Sequence, residues 1–391
     1  MENLKNKDPF LDGKKILVAL SGGVDSIVLT HYLNTHYPNQ LRIIHCNHHL
    51  STQADTWSEF CQNFAKTLNI PFSNVDLFLE NNSNIEENAR KKRYYSLSCN
   101  LEKDEVLCTA HHQEDQAETL LLQLFRGSGV AGLASMPKLK TFDKGYHYRP
   151  LLNISKAQIL QYAKDHHLNW VEDDSNCNTD FKRNFLRIKA LPLLKSAFQN
   201  LTINLNRSAK HQSETLALMG ELAQIDIAQH QLINSSGRIN IYALKTLKTR
   251  RIKNILRYQM NLQGFLLPSE KVMMEIINLL SAKEDAQPLV SWEGYEVRRF
   301  QGELYFLNNN QAKIAKNCPF HEELKNLPNF SIRYRAEGQR IRLPGKKHSQ
   351  PLKKVLQEAN IPPWERNSLK MYYIDDELRA MERLGRMQNA D

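Results

Sequence analysis

Residues 15–27, Lys-Ile-Leu-Val-Ala-Leu-Ser-Gly-Gly-Val-Asp-Ser-Ile, constrain the fold more than any other stretch of the chain. Ile16 to Leu20 is a short apolar run of the kind a buried parallel strand shows. It breaks at Ser21-Gly22-Gly23 and resumes as a helical pattern through Val24, Ile27, Val28 and Tyr32. The order is therefore strand, tight turn, helix. Gly22 and Gly23 can adopt backbone angles closed to other residues, so successive N–H groups can converge on one point. The helix that follows adds its positive end, and Ser21 and Ser26 add hydroxyls. Such a nest fits a phosphate or pyrophosphate. Asp25 would repel that anion unless a divalent cation stood between them, which points to Mg²⁺ held at Asp25.

The spacing is neither G-x-x-x-x-G-K-[ST] nor G-x-G-x-x-G. Ser21-Gly-Gly-Val-Asp-Ser26 after a strand resembles the pyrophosphate loop (PP-loop) of the ATP pyrophosphatase superfamily. That resemblance implies cleavage of ATP between its α and β phosphates, adenylation of a substrate oxygen, and displacement of AMP by a nucleophile. A capped glycine turn without a ligand is the competing account. The strand before it and the helix after it favour the phosphate loop.

The chain has 391 residues, which suits two or three domains, and 41% hydrophobic residues, enough for a core in each. It has no apolar run long enough to span a bilayer, and its first residues lack a signal-peptide apolar region, so a cytoplasmic location and no membrane partner are expected. Cys46, Cys61, Cys99, Cys108, Cys177 and Cys318 are scattered without a C-x-x-C pair, which reads as free thiols. A net charge of +10 is compatible with a polyanionic partner such as nucleic acid.

Strand-like and helical stretches alternate through the first half. Strands are expected at 41–46, 71–78, 106–110 and 146–152, and helices at 54–68, 85–97 and 114–125. This predicts a parallel α/β sheet of Rossmann-like type, with ligands beyond the carboxyl ends of the strands. Three such ends carry polar groups: Ser21–Ser26, Asn47-His48 and His111-His112. Asn47 and His48 thus join Ser21, Gly22, Gly23, Val24, Asp25 and Ser26 as nucleotide-binding candidates.

Asp115 and Glu118 share one helix face and could hold a metal ion or an ammonium group; an acidic first turn complementing the helix dipole is the alternative. The His pair lacks H-E-x-x-H spacing. Arg126 opens a glycine-rich loop that runs to Leu133. Arg183 and Arg187 lie one helical turn apart, able to face one anion, and follow an acidic stretch at 172–174.

From residue 199 the pattern becomes mainly helical, with helices expected at 201–233, 239–262 and 268–280, then short strands at 289–292, 295–300 and 303–307. Lys245, Lys248, Arg250, Arg251, Lys253 and Arg257 form a basic run, read either as a phosphate track or as a solvated face. Residues 317–330 read as a linker, and the rest as a small α+β domain with Arg333-Tyr334-Arg335, Lys353-Lys354 and Trp364. The expected domains are 1–198, 199–316 and 317–391.

Taken together, the motifs resemble the tRNA(Ile)-lysidine synthetase family. They are Ser21–Ser26, Cys46-Asn-His-His-Leu50, Asn84-Ile-Glu-Glu-Asn-Ala-Arg90, Thr109-Ala-His-His-Gln-Glu-Asp-Gln-Ala-Glu-Thr119, Arg126-Gly-Ser-Gly129, Arg149-Pro-Leu-Leu152, Glu172-Asp-Asp-Ser-Asn176 and Arg183-Asn-Phe-Leu-Arg187. Glu114 departs from the family's usual aspartate, and Glu337-Gly338 from a usual Gly-Gly.

The resemblance implies a ligase forming a carbon–nitrogen bond. ATP adenylates C2 of cytidine 34 in the CAU anticodon of tRNA-Ile, and the ε-amine of free L-lysine then gives lysidine, AMP and pyrophosphate. It implies Asp25, Asp115, Glu118 and Arg183 as catalytic residues. Asp115 and Glu118 would hold the lysine ammonium, Arg183 and Arg187 an anionic group of the substrates, and Arg126 the tRNA backbone. A tRNA thiolase would need paired or cluster-binding cysteines, and a non-catalytic RNA-binding relative would have no use for Asp25, Asp115 and Glu118. The sequence leaves the oligomeric state open, a homodimer included.

Overall fold

The computed structural model describes residues 6–49, 51–78, 85–172, 179–283, 288–309, 319–346 and 348–387. The chain divides into two compact units, Met1–Met219 and Gly220–Asp391.

The first unit is built on a six-stranded sheet of β1 (Ile16–Ala19), β2 (Leu41–Asn47), β3 (Phe72–Asp76), β4 (Val106–Cys108), β5 (Leu139–Phe142) and β6 (Gly145–Tyr148). Their order is β3-β2-β1-β4-β6-β5. All neighbours run parallel except β5, which pairs antiparallel with β6. The helices are α1 (Val24–His36), α2 (Ala54–Thr67), α3 (Ile85–Cys99), α4 (Gln113–Phe125), α5 (Val130–Leu133), α6 (Lys156–Asp165), α7 (Lys182–Phe185), α8 (Leu191–Ala197) and α9 (Leu201–Gln229), which runs on into the second unit.

Alternation along β1 divides the core. Ile16 and Val18 belong to the larger apolar cluster with Ile27, Leu29 and Leu33, while Leu17 faces Ile44, Leu97 and Leu107 on the other side. A strand buried on both faces reads as continuous apolar sequence, which is why 16–20 does. The chain leaves β1 for β2 on one side and later returns to β4 on the other. The carboxyl ends of β1 and β4 therefore flank the point where strand order reverses, the usual crevice for a ligand.

Three expectations need correction. The strand expected at 146–152 ends at Tyr148 and is one arm of a hairpin whose other arm, β5, was not expected. Gly145 opens β6 because a Cβ there would lie 2.1 Å from the Glu105 carbonyl oxygen. The helix expected at 239–262 is broken into β7 (Ile239–Asn240), α10 (Ile241–Leu244) and α11 (Thr249–Leu262). Asn240 supplies the break, its side chain accepting from the Tyr242 and Ala243 N–H groups as an N-cap. The glycine-rich stretch from Arg126 to Leu133 holds the short α5.

In the second unit, α10, α11 and α12 (Glu270–Leu279) pack on an antiparallel sheet of order β7-β10-β9-β8, with β8 at Leu289–Trp292, β9 at Tyr295–Phe300 and β10 at Glu303–Asn308. Buried Asp226 takes the Arg251 guanidinium, and Glu270 takes Lys253 and Arg257. Half of the basic run on 245–257 is thus engaged within the protein. A second antiparallel sheet (Phe330–Arg333, Met371–Ile374, Glu377–Met381, Gly385–Arg386) covers a core of Leu352, Leu356, Met371 and Met381. Trp364 packs edge-on against Phe300 and Tyr305, at 5.9 and 5.2 Å between ring centroids, with Arg298 over its face. Partly buried, it serves packing.

Candidate active site

The glycine turn is held from within. The Ser21 N–H and Oγ both donate to Ser26 Oγ, at 3.1 and 3.2 Å, and Ser26 Oγ donates to the Gly23 carbonyl at 2.9 Å. Gly22 has φ +86°, and a Cβ on it would meet Val171 Cγ2 at 2.8 Å, so the turn requires glycine twice over. Gly23 is the N-cap of α1 without a side-chain cap, and the first N–H groups of α1 have no acceptor inside the helix. A cavity of about 220 Å³ opens beside this turn. Ser21, Gly23, Asp25 and Ser26 line it from one side, Thr109 and His111 from another, and Arg90, Arg93 and Tyr94 of α3 from a third.

The cavity wall is strongly cationic. Arg93 Nε is buried and has no hydrogen-bond partner among the described residues, and burial lowers the pKa of this guanidinium. Behind the wall runs a hydrogen-bond chain. Arg149 Nη2 donates to His147 Nδ1 (3.3 Å), and His147 Nε2 and His111 Nδ1 each lie 2.8 Å from Thr109 Oγ1. Arginine only donates, so His147 carries its proton on Nε2, Thr109 donates onward, and His111 keeps its proton on Nε2. Burial, with nearby arginines, pushes His111 down to about 3, so it is a neutral donor at the cavity.

Asp25 faces two other groups. Lys156, the first residue of α6, brings Nζ to 2.7 and 2.9 Å from the two carboxylate oxygens. His112 Nε2 lies 3.7 Å from Asp25 and 3.5 Å from Asp115. Burial would lower the His112 pKa, but Glu114, Asp115 and Asp25 raise it, so one imidazole links the glycine turn to the acidic helix.

On α4 both readings of the acidic turn hold at once. Asp115 Oδ2 accepts the His112 N–H at 2.9 Å in a capping box, while Oδ1 takes Arg183 Nη2 at 2.9 Å and Arg187 Nη2 at 3.2 Å. Glu118, fully buried, takes Arg183 Nε and Arg187 Nε, each at 2.7 Å. Burial opposes ionisation of Asp115, yet His112 and Arg183 hold its carboxyl down at about 2. Arg183 and Arg187 can both reach because α7 passes into a π-helical turn, Leu186–Ala190, packed on α4 through Leu121, Leu186 and Leu191. Glu114 accepts the Lys156 backbone N–H at 2.9 Å and so ties α4 to α6.

Asp25, Asp115, Glu118, Arg183 and Arg187 therefore form one connected cluster beside Ser21, Gly23 and Ser26. Gly22 and Val24 shape the turn without lining the cavity. Asn47 and His48 do not line it either. Asn47 donates to Asp55 and accepts from the His49 N–H, while burial and Arg93 push His48 down to about 4. Arg126 lies apart, at the far end of α4. Leu50, Asn84 and the acidic positions Asp173 and Asp174 lie outside the described residues.

In the sequence, Arg90-Lys91-Lys92-Arg93 reads only as a basic helix face, and Lys156 carries no local signal at all. Burial pushes the Cys61 thiol up to about 12 and raises Cys46 and Cys108 as well, so these three make poor nucleophiles. No group of three or more potential metal ligands occurs among the described residues, and no helix among them is long and apolar enough to cross a membrane.

The chain matches three family models: a PP-loop domain over residues 1–194, a TilS substrate binding domain over 240–305 and a TilS substrate C-terminal domain over 330–390. It is 37% identical to the tRNA(Ile)-lysidine synthase of Coxiella burnetii, over 93% of this chain and 87% of that protein. It is 36% identical to that of Legionella pneumophila strain Paris (94% and 90% covered) and 35% identical to that of Nitrosomonas europaea (94% and 86%). Among solved structures, a U34-tRNA thiolase from Methanococcus maripaludis aligns with 55% of this chain and 77% of its own at 18% identity and a TM-score of 0.46. With its glycine turn, its cationic cavity and its buried acidic helix in one cluster, and with relatives matched along almost its whole length, the chain belongs to the tRNA(Ile)-lysidine synthase family.

Proposed function

We propose that this enzyme joins L-lysine to C2 of cytidine 34 in the CAU anticodon of tRNA-Ile, in the cytoplasm, at the cost of ATP converted to AMP and pyrophosphate. The observation that carries this reading is the buried Glu118–Asp115 pair linked through His112 to Asp25 of the glycine turn. One side of the cluster suits polyphosphate, the other an alkylammonium.

The turn at Ser21–Ser26 and the free N–H groups opening α1 suit the pyrophosphate leaving group. Lys156 adds a cation at the same point. Mg²⁺ fits on the donor set: it typically takes one or two carboxylates plus substrate phosphates, and Asp25 offers one carboxylate there. Bound with ATP, that ion would spread the charge of the departing pyrophosphate. Arg90, Arg93 and the neutral His111 donor line the cavity where the α-phosphate and the adenylated oxygen would lie.

Asp115 and Glu118 are held by Arg183 and Arg187 in this state. The lysine ammonium would replace a guanidinium on the carboxylates. The freed arginine would then be available for the lysine carboxylate or the α-phosphate. Deprotonation of the ammonium by one of these carboxylates makes the amine a nucleophile. The test is labelled L-lysine with ATP and a tRNA-Ile transcript, carrying cytidine or uridine at position 34. Label should enter the cytidine transcript alone; label in both, or in neither, refutes the reading.

A further inference from the structure

A second cavity, of about 320 Å³, lies where the far end of α4 meets α7. Leu122 and Leu186 contribute apolar surface, and Phe125 and Phe185 line it with most of their surface in solvent, 70% and 51% exposed. Arg126 and Lys182, both exposed, line it too. Asp180 is a further lining residue.

Two exposed phenylalanines around one hollow, flanked by cations, are poor choices for solvent contact alone. Their chemistry suits a planar apolar ring that carries negative charge at its edge. An unpaired nucleotide answers that description: bases stack on phenylalanine, and phosphates pair with arginine and lysine. Asp180 sharpens the choice. A carboxylate accepts from the exocyclic amine of a base but repels a phosphate, so the interior suits the base and the phosphates belong with Arg126 and Lys182.

Position along the helix links this hollow to the reaction. Glu118, Leu122 and Phe125 are spaced i, i+4, i+7 and so share one face of α4. At about 1.5 Å per residue, Phe125 lies roughly 10 Å along the helix from Glu118. A strand whose modified base enters the acidic cluster would bring a neighbouring nucleotide over the hollow.

We propose that Phe125 and Phe185 clamp an unpaired nucleobase adjacent to the modified cytidine, with Arg126 and Lys182 on its flanking phosphates. This rests on the tRNA reading given above and adds a subsite to it.

The experiment uses the full-length protein with an anticodon stem-loop RNA carrying 2-aminopurine on either side of position 34. Wild-type protein should quench one of the two probes on binding. Phe125→Ala and Phe185→Ala should abolish that quench and raise KM for the RNA about tenfold or more, with kcat at saturating RNA changed less than about threefold. Phe125→Trp should retain the quench. Both phenylalanines are exposed, so the melting temperatures of the variants should match the wild type.

Unchanged quench and unchanged KM for RNA in both alanine variants would overturn the clamp. So would a quench that fails to appear in wild-type protein that binds the RNA, as expected if the hollow receives a protein instead. Failure of the wild type to incorporate lysine would sink the functional reading, while the fluorescence would still report on the clamp.

Discussion

Lys156 Nζ sits 2.7 and 2.9 Å from the two carboxylate oxygens of Asp25, although 131 residues separate them in the chain. The first residue of α6 thereby places a cation where the glycine turn would meet polyphosphate. An ammonium held by one carboxylate at such a site is poised to be shared with phosphate oxygens. Lys156→Ala should raise KM for ATP about tenfold or more, the scale of a lost charge-assisted hydrogen bond. Steady-state kinetics with ATP varied at saturating tRNA and lysine would reveal it; an unchanged KM would reduce the pair to a structural contact.

The two halves of the cluster should separate under mutation. Asp25→Ala should lower tRNA-dependent ATP–pyrophosphate exchange by about a hundredfold or more. Glu118→Ala should spare exchange relative to lysine transfer, because Glu118 contacts Arg183 and Arg187 and not the glycine turn. Equal loss of both steps in the Glu118 variant would remove the lysine pocket from α4.

Asp115 also gives the pH dependence a sign. Its carboxyl is held below the usual carboxylate range by His112 and Arg183 against the effect of burial. A depressed folded-state value means the stabilisation is complete above the unfolded value of roughly 3.9. It is lost as pH falls through the folded value of about 2. The difference in urea midpoint between wild type and Asp115→Asn should therefore shrink as pH falls below 4, whatever protonation of His112 adds to it above pH 5. A difference that grew below pH 4 would contradict the ion cluster.

Gly22→Ala should cost about 2 kcal/mol or more, since a Cβ meets both a left-handed backbone and Val171. Thermal unfolding would register a drop of several degrees, accompanied by weakened ATP binding. A variant with unchanged melting temperature would show that the turn tolerates a side chain.

Much of this molecule is legible in its sequence because its signals are local. The apolar run of β1, the glycine turn and the spacing of Asp115 and Glu118 each lie within a few residues. The strands at 289–292 and 295–300 match β8 and β9 because alternation there is regular. What escaped was decided at a distance or by a single cap. Lys156 gains meaning only when α6 folds back to α1. The 239–262 stretch has helical composition, and only the Asn240 side chain ends the strand and starts a new helix there. Asn47 looked like a ligand group at a strand end, but it spends its amide on Asp55 and its oxygen on the His49 N–H. The role of Arg93 depends on burial, which a run of four basic residues conceals.

The most direct test measures products. Purified protein incubated with ATP, L-lysine and tRNA-Ile bearing the CAU anticodon should release AMP and pyrophosphate in equal amounts with lysine joined to the RNA. Release of ADP and phosphate, or of AMP without lysine in the RNA, would contradict the account.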